Sequence, residues 1–273
     1  MKADASEKAA RPDEKAVSVS EFPYPGNEAH RPYRVGGIGD GVSLWWCDLG
    51  DDFAPLATFS SWLSAHEHAR ARRYGSEALA RRYIRGRAAL RWILGRALGI
   101  APERVPIERG HRGRPNVASA ELDFNVSNTL DVAFIGVART PGMRIGVDVE
   151  SAARALNHAG LARKFLTARE REMLATMDDD AKRLAFLRSW TCKEAMSKAT
   201  GDALSAPLGA MDVELSPRLR LRAGPSPYLA ADWRLHAADV PAGFLATVAL
   251  WQPPPEGMRF AAAATLDKVV DSR

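Results

Sequence analysis

The order of helical and strand-like segments constrains the fold of this 273-residue chain more than any other feature of its sequence. Apolar residues at helical spacing predict a helical region over residues 61–98, interrupted near Gly75, and a second helix over residues 181–199. Strand-like runs lie at residues 42–46, 122–127, 132–137, 144–150, 211–215, 232–236 and 244–251. Because a long helix accompanied by strands occurs twice, the sequence predicts an α+β fold of two lobes that meet near residues 138–145.

The ends of the chain differ in composition from its middle. Residues 1–36 are rich in Ala, Glu, Lys, Pro and Gly and hold few large apolar side chains, which predicts a disordered extension without a packed core. The folded part is expected to begin near Gly41. We therefore divide the chain into the extension, an N-terminal lobe over residues 37–140, a C-terminal lobe over residues 141–253 and a tail over residues 254–273.

Composition restricts the class of protein. Hydrophobic residues make up 46% and charged residues 26% of the chain, as in soluble globular proteins. No run of about 18 apolar residues predicts a membrane span, the polar start of the chain lacks the apolar core of a signal peptide, and two distant cysteines suit a reducing compartment. We expect a cytoplasmic monomer with no membrane or nucleic-acid partner. The formal charge of +5 suits an acidic ligand or partner.

The first chemical motif is the strand-like run IGVDVE, residues 145–150. Alternation places Asp148 and Glu150 on one face of the strand, with Cβ atoms about 7 Å apart. Gly146 adds no side chain, which lets a ligand approach the backbone. Two adjacent carboxylates repel each other unless a cation lies between them, and Mg²⁺ prefers such oxygen ligands. The alternative is an acidic outer face of a half-exposed strand.

The second motif is WTCKEAMSK, residues 190–198. Glu194 falls on the apolar side of the predicted helix, where a carboxylate is unfavourable unless it is paired or bound to metal. Lys198 lies one turn further on and can pair with it. The alternative is an ordinary Glu–Lys surface pair. The joint occurrence of both motifs in one chain argues against this alternative.

Basic and small polar residues form the third candidate group. Arg82 lies on the flank of the first helical region, where a guanidinium can bind phosphate through two hydrogen bonds. The turn at residues 113–115 can present Arg114, and the strand over residues 124–129 ends in small polar residues that can bind phosphate or ribose; a plain turn is the alternative there. The sequence contains no GxxxxGK[ST], GxSxG or HExxH motif and no zinc-ligand spacing.

In combination, these motifs resemble the paired signature of the 4′-phosphopantetheinyl transferase superfamily. The length favours its two-lobed, surfactin-synthetase-associated type over the small trimeric type. Further segments agree: RYIRGR at residues 82–87, GRP at 113–115, FNVS at 124–127, FLTARE at 165–170 and GDALS at 201–205. One departure is Asn128, which stands where many members have His and cannot carry a charge, so that coenzyme affinity would rest more on Arg82 and Arg114.

The resemblance implies two pseudo-symmetric lobes, each an antiparallel-type sheet packed against a long helix, with the active site between them. It implies Mg²⁺ ligands at Asp148, Glu150 and Glu194. It implies coenzyme A contacts at Arg70, Arg82, Arg114, Pro115, Ser127, Asn128, Asp148 and Lys198. Glu194 and Lys198 would take part in catalysis, with Glu194 or a metal-bound water as the base.

The implied activity is Mg²⁺-dependent transfer of the 4′-phosphopantetheine arm of coenzyme A to a serine of an acidic apo acyl or peptidyl carrier protein. The second product would be 3′,5′-adenosine bisphosphate. Two alternatives stay open: another Mg²⁺-dependent phosphoryl-chemistry enzyme acting on coenzyme A or nucleotides, and a non-enzymatic basic module that binds nucleic acid. The sequence leaves the carrier protein and its pathway open.

Overall fold

A computed structural model describes residues 23–25, 31–36, 38–39, 41–50, 56–117 and 121–253. Its helices are α1 (Leu56–Ser61), α2 (Ala65–Ala71), α3 (Glu77–Leu98), α4 (His158–Phe165), α5 (Ala168–Ala175) and α6 (Asp179–Thr200). Its strands are β1 (Tyr33–Arg34), β2 (Val42–Asp48), β3 (Ile107–Arg109), β4 (Pro115–Val117), β5 (Asp123–Thr129), β6 (Val132–Ala138), β7 (Arg144–Ser151), β8 (Asp212–Glu214), β9 (Arg220–Ala223), β10 (Trp233–Ala237) and β11 (Phe244–Trp251). The tail predicted over residues 254–273 lies outside the described residues.

The first lobe is an antiparallel sheet covered by α3. The sheet has the order β1-β2-β6-β5, and Leu90, Ile93 and Leu94 of α3 pack on one of its faces. The helical region is interrupted near Gly75, as predicted, because α3 begins anew with Ser76 as its N-cap. The lobe therefore joins a sheet to one long helix.

The second lobe repeats this arrangement with the antiparallel order β10-β11-β7 and the long helix α6. A Cβ atom on Gly146 of β7 would lie 1.8 Å from the carbonyl oxygen of Ala195 in α6. The glycine is thus needed for close packing of helix on strand. The expectation that a ligand approaches the backbone at Gly146 is wrong, since α6 fills that space.

The two sheets pack against each other, which sets up the space between the lobes. Phe134 of β6 and Val147 of β7 belong to the same buried cluster, and a Cβ on Gly136 would lie 2.7 Å from side-chain atoms of Ile145 and Val147. The predicted α+β fold, with two antiparallel sheets each packed on a long helix, is confirmed.

Side chains of β5 join the edges of the two sheets. Three alternate residues of β5 each accept a hydrogen bond from a backbone N–H of β7. The pairs are Asp123 Oδ2 with Ile145 N at 2.7 Å, Asn125 Oδ1 with Val147 N at 3.1 Å, and Ser127 Oγ with Val149 N at 3.3 Å. These bonds satisfy N–H groups of β7, the edge strand of the second sheet, which would otherwise lack partners.

The described residues before Gly41 are part of the first lobe. Tyr33 and Arg34 pair with β2, Val35 is only 6% exposed, and the ring of Tyr24 lies 5.2 Å from those of Phe59 and Trp92. Residues 23–25 and 31–36 thus pack on the first lobe, so its folded part begins before the expected Gly41. That residues 1–36 have no packed core of their own stays a prediction. The boundary at residue 140 stays a prediction. No helix among the described residues combines the length and hydrophobicity needed to cross a membrane.

Candidate active site

Three carboxylates meet in a cavity between β7 and α6. Asp148 and Glu150 emerge from the face of β7 that turns away from the inter-sheet core, and both are buried. Glu194 comes from α6 and is partly buried. The cavity has a volume of about 350 Å³ and is lined by Val126, Ser127, Asn128, Asp148, Val149, Glu150, Trp190, Glu194 and Lys198. The structure thus brings the two sequence motifs together.

Lys198 pairs with Asp148, whereas the helical spacing had suggested Glu194 as its partner. Its Nζ lies 2.6 Å from Asp148 Oδ1 and 2.8 Å from Ser127 Oγ. The Ser127 hydroxyl in turn donates to Asp148 Oδ1 at 2.8 Å. The sequence could not reveal this pairing because Asp148 lies 50 positions away along the chain.

The acidic cluster is incompletely satisfied. Among the residues that the structure describes, Asp148 Oδ2 and Glu194 Oε1 are buried without a hydrogen-bond partner. Burial, and then the neighbouring charge of Asp148, raise the pKa of Glu194 above its ordinary value. Burial also raises the pKa of Glu150, although an ion pair with Arg154 opposes this shift. The three carboxylates of the cluster thus face two cationic side chains, Lys198 and Arg154.

The donor set fits a hard divalent cation, although its present geometry does not form a closed site. Within the described ranges, no three or more His, Cys, Asp or Glu side chains are arranged so that they could hold a metal ion as they stand. One reason is that Lys198 lies against Asp148 and Arg154 against Glu150. The two unpartnered oxygens nevertheless favour a cation at this place, because a buried carboxylate oxygen without a partner is unfavourable and Mg²⁺ binds such oxygens.

A larger cavity adjoins the acidic cluster and shares Val126 and Asn128 with it. Its volume is about 670 Å³. Four residues predicted to contact the coenzyme line it: Arg70, Arg82, Pro115 and Asn128. The Arg70 guanidinium lies 5.8 Å from the centre of the Tyr83 ring, and Arg82 pairs with Asp131. Four of the eight residues predicted to contact the coenzyme therefore line one cavity.

Among the residues that line these cavities, Arg109 and Trp190 are two to which the sequence assigned no role. Arg109 lines the larger one, because the β3–β4 hairpin places it directly opposite Pro115. Its signal was its place among the basic residues that precede the Gly-Arg-Pro turn at residues 113–115. Trp190 lines the smaller cavity and donates a side-chain hydrogen bond to Glu150. It was part of the second motif, but no role was assigned to it.

Arg114 is the predicted coenzyme contact that the structure places elsewhere. It is 7% exposed and lines neither cavity. Its guanidinium donates to both carboxylate oxygens of Asp123 at 2.7 Å, and to the carbonyl oxygens of Phe124, Ile145 and Lys198. The expectation that its side chain binds coenzyme A is wrong in this conformation, since the guanidinium is turned inward and fully engaged.

Comparison with known proteins agrees with this geometry. A family model described as the 4′-phosphopantetheinyl transferase superfamily matches residues 144–249. The 4′-phosphopantetheinyl transferase HetI of a Nostoc species is 34% identical over 191 residues, which cover 68% of this chain and 79% of that protein. This chain belongs to the 4′-phosphopantetheinyl transferase superfamily. A putative superfamily member of a Synechocystis species, slr0495, is 30% identical over 168 residues, or 60% of this chain and 67% of that one.

The predicted superfamily is thus confirmed, whereas the surfactin-synthetase-associated type stays a prediction. The segment of this chain that the family model matches runs from β7 into β11 and contains all three carboxylates and Lys198. A solved holo-(acyl-carrier-protein) synthase from Bacillus anthracis, in complex with CoA (3′,5′-ADP), overlaps with a TM-score of 0.34 at 16% identity, over 41% of this chain and 96% of that one. This overlap is too low to add to the fold assignment.

Proposed function

We propose that this protein transfers the 4′-phosphopantetheine arm of coenzyme A to a serine hydroxyl of an apo acyl or peptidyl carrier protein. The reaction would depend on Mg²⁺ and release 3′,5′-adenosine bisphosphate. The observation that carries the proposal is the cluster of Asp148, Glu150 and Glu194, with two unpartnered buried oxygens, in a member of the superfamily. A perturbed group of carboxylates in a cleft is a marker of function.

Each cavity suits one part of the coenzyme. The arginine-lined larger cavity suits the adenosine and its phosphates, because guanidinium groups bind phosphate oxygens. The acidic cluster suits the cation, with Asp148, Glu150 and Glu194 as ligands. When bound, Mg²⁺ would neutralise charge on the pyrophosphate. Asn128 lines both cavities and marks where the pyrophosphate would pass from one to the other.

Lys198 and Glu194 have distinct tasks in this scheme. An ammonium group has three N–H donors, and the described part of the chain uses two of them, on Asp148 and Ser127. The third is left to donate to the phosphate that carries pantetheine. Serine Oγ forms a bond to that phosphorus, the bond to the bridging oxygen breaks, and Glu194 takes the serine proton. Its raised pKa suits a base that must release the proton again.

The partner follows from charge and from the acceptor group. The chain carries a formal charge of +5, which favours encounter with an acidic carrier protein. Fatty-acid, polyketide, nonribosomal-peptide and lysine-pathway carriers all supply the required serine. A cytoplasmic location and a monomeric state stay predictions.

The decisive test is a panel of apo carrier proteins incubated with coenzyme A and the protein, with Mg²⁺ or with EDTA, and scored by intact-protein mass spectrometry. We expect at least one carrier to gain the mass of one phosphopantetheine group with Mg²⁺ and none with EDTA. Release of phosphopantetheine without any carrier would favour the hydrolase alternative. Salt-sensitive binding of DNA or RNA without mass gain would favour the nucleic-acid alternative.

The larger cavity has its own test. Arg82→Ala should raise KM for coenzyme A about 10-fold or more, because a charged hydrogen bond contributes about 1.5–3 kcal/mol, and should affect dephospho-coenzyme A less. The matched control is Arg81→Ala on the same helix, since Arg81 pairs with Glu77 and does not line the cavity. Equal losses for both coenzymes would argue against a 3′-phosphate contact.

A further inference from the structure

Arg114 is a buried arginine at the junction of three elements. It precedes β4 and is held by Asp123 of β5 through two parallel hydrogen bonds of 2.7 Å. Arginine is seldom buried unless its charge is paired. Here the pairing fixes the plane of the guanidinium and leaves other N–H groups to face the backbone of neighbouring elements.

Those N–H groups reach β7 and the end of α6. Nη2 donates to the carbonyl oxygen of Ile145 at 2.8 Å, and Nε donates to that of Lys198 at 2.8 Å. Asp123 Oδ2 also accepts from Ile145 N at 2.7 Å. The Arg114–Asp123 pair thus connects the first lobe to both elements that carry the acidic cluster.

The contact with Lys198 lies at a helix terminus that needs it. Helix α6 ends at Thr200 and is closed by Gly201 in the left-handed conformation at φ 86°, with the Gly201 N–H bonded to the Ser197 carbonyl. The last four carbonyls of a helix lack partners within the helix, and the carbonyl of Lys198 is one of them. Arg114 supplies that partner, and its positive charge is favourable at a helix C-terminus.

The backbone and the side chain of Lys198 are therefore fixed to the same two strands. The backbone is held through Arg114 to β5 and β7, and the ammonium contacts Ser127 of β5 and Asp148 of β7. A displaced helix end would move the ammonium relative to Asp148. A misplacement of about 1 Å can lower a catalytic rate about 100-fold.

We infer that Arg114 is a positioning residue, which fixes the last turn of α6 so that the Lys198 ammonium meets the reacting phosphate. This inference rests on the proposed function for the task of Lys198. It differs from a coenzyme contact in the kinetic constant that it controls. A coenzyme ligand would control KM for coenzyme A, whereas a positioning residue controls kcat.

The test compares Arg114→Lys and Arg114→Gln with the same changes at Arg169. Lysine keeps the charge but cannot bridge a carboxylate and two carbonyls in one plane. Arg169 is a matched control, because it also binds a carboxylate, Asp212, and a backbone carbonyl, that of Val213, and lines neither cavity. We expect both Arg114 variants to lower kcat about 10- to 100-fold with KM for coenzyme A within about threefold of wild type. The Arg169 variants should keep kcat.

A second measurement, hydrogen exchange followed by mass spectrometry, is independent of turnover. The peptide that contains Lys198 and Gly201 should exchange about fivefold faster in Arg114→Lys, because one hydrogen bond of about 1 kcal/mol is lost. It should be unchanged in Arg169→Lys. Arg114→Lys carries this test even if Arg114→Gln fails to fold.

Two outcomes would overturn the inference: a rise of 10-fold or more in KM for coenzyme A with unchanged kcat, or exchange of the α6 terminus at the wild-type rate. If wild-type protein modifies no carrier, the proposed function fails. If wild type does transfer the group but the α6 terminus of Arg114→Lys exchanges at the wild-type rate, only the positioning role is refuted.

Discussion

Helix α6 contributes one lysine to each of two charged clusters, Lys193 to the first and Lys198 to the second. The two clusters differ in how completely their charged groups are hydrogen-bonded. Lys193 is fully buried and donates to Glu170 Oε2 at 2.6 Å, to the Phe165 carbonyl at 2.7 Å and to the Leu208 carbonyl at 3.0 Å. Glu170 also accepts from the backbone N–H of Val213 at 3.0 Å. All three ammonium donors of Lys193 are used.

The second cluster is left incomplete. Lys198 is partly exposed, and Asp148 and Glu194 each keep one buried oxygen that has no partner in the described part of the chain. A complete cluster holds elements of the fold together, whereas an incomplete one is available to a ligand. Of the two lysines of this motif, Lys193 holds elements of the fold together, and we propose that Lys198 serves the reaction.

The largest expected effect is on stability, at Lys193. Lys193→Met should lower the free energy of unfolding by about 3–5 kcal/mol, because it leaves Glu170 buried and unpaired. The double change Lys193→Met with Glu170→Leu should recover most of that loss, since an apolar pair needs no partner. Denaturant unfolding measures both. A single variant as stable as wild type would contradict the structural role.

The next effect is on catalysis, at Asp148. Asp148→Asn should lower the rate of carrier modification about 100-fold or more while the protein stays folded, because it weakens both cation binding and the contact with Lys198. Asp212→Asn serves as control, since Asp212 pairs with Arg169 outside both cavities. Mass spectrometry of the carrier over time measures the rate. Near-normal transfer by Asp148→Asn would remove the acidic cluster from the reaction.

A smaller effect concerns the pH dependence of stability. The pKa of Glu194 in the folded protein is raised above its ordinary value of 4.5. The stability that this group contributes is therefore fully present below the unfolded pKa and is lost as pH rises through the folded pKa. In EDTA, Glu194→Gln should lack that loss, so its unfolding free energy should gain on wild type as pH rises from 4.5 towards neutrality. A difference between the two proteins that does not vary with pH would contradict the shift.

The smallest effect is expected at Asn128, where the two cavities meet. Asn128→Ala removes one neutral hydrogen-bonding group, which contributes about 0.5–1.5 kcal/mol, and should raise KM for coenzyme A about 10-fold at most. Thr129→Ser, a change at the neighbouring position outside both cavities, is the control. An unchanged KM in Asn128→Ala would mean that Asn128 does not contribute to coenzyme A binding.

The sequence predicted the fold where local signals are strong. Helix α6 was expected over residues 181–199 and spans Asp179–Thr200. The spacing of Thr167 and Glu170 also predicts a capping box, and the structure contains it. These features depend on residues within a few positions of each other. That Asp148, Glu150 and Glu194 lie together was implied by the family resemblance. Each also faces the side that the periodicity of its strand or helix assigns.

Side-chain direction at long range could not be predicted. Arg114 sits in a turn that was expected to present it to the coenzyme. Instead Asp123, Ile145 and Lys198, the last of them 84 positions away, hold its guanidinium inward. Gly146 appeared suited to a ligand because the sequence does not show that Ala195 packs against it. In each case a tertiary contact replaces the local expectation.

The central claim is that the incomplete cluster binds a divalent cation together with coenzyme A. The most direct measurement is the melting temperature of wild type and Glu194→Gln during titration with Mg²⁺, with and without coenzyme A, since a ligand that binds only the folded state stabilises it. The account predicts that Mg²⁺ raises the melting temperature of wild type, more so with coenzyme A, and that Glu194→Gln loses this rise. An equal rise in both proteins, or none in wild type, would contradict it.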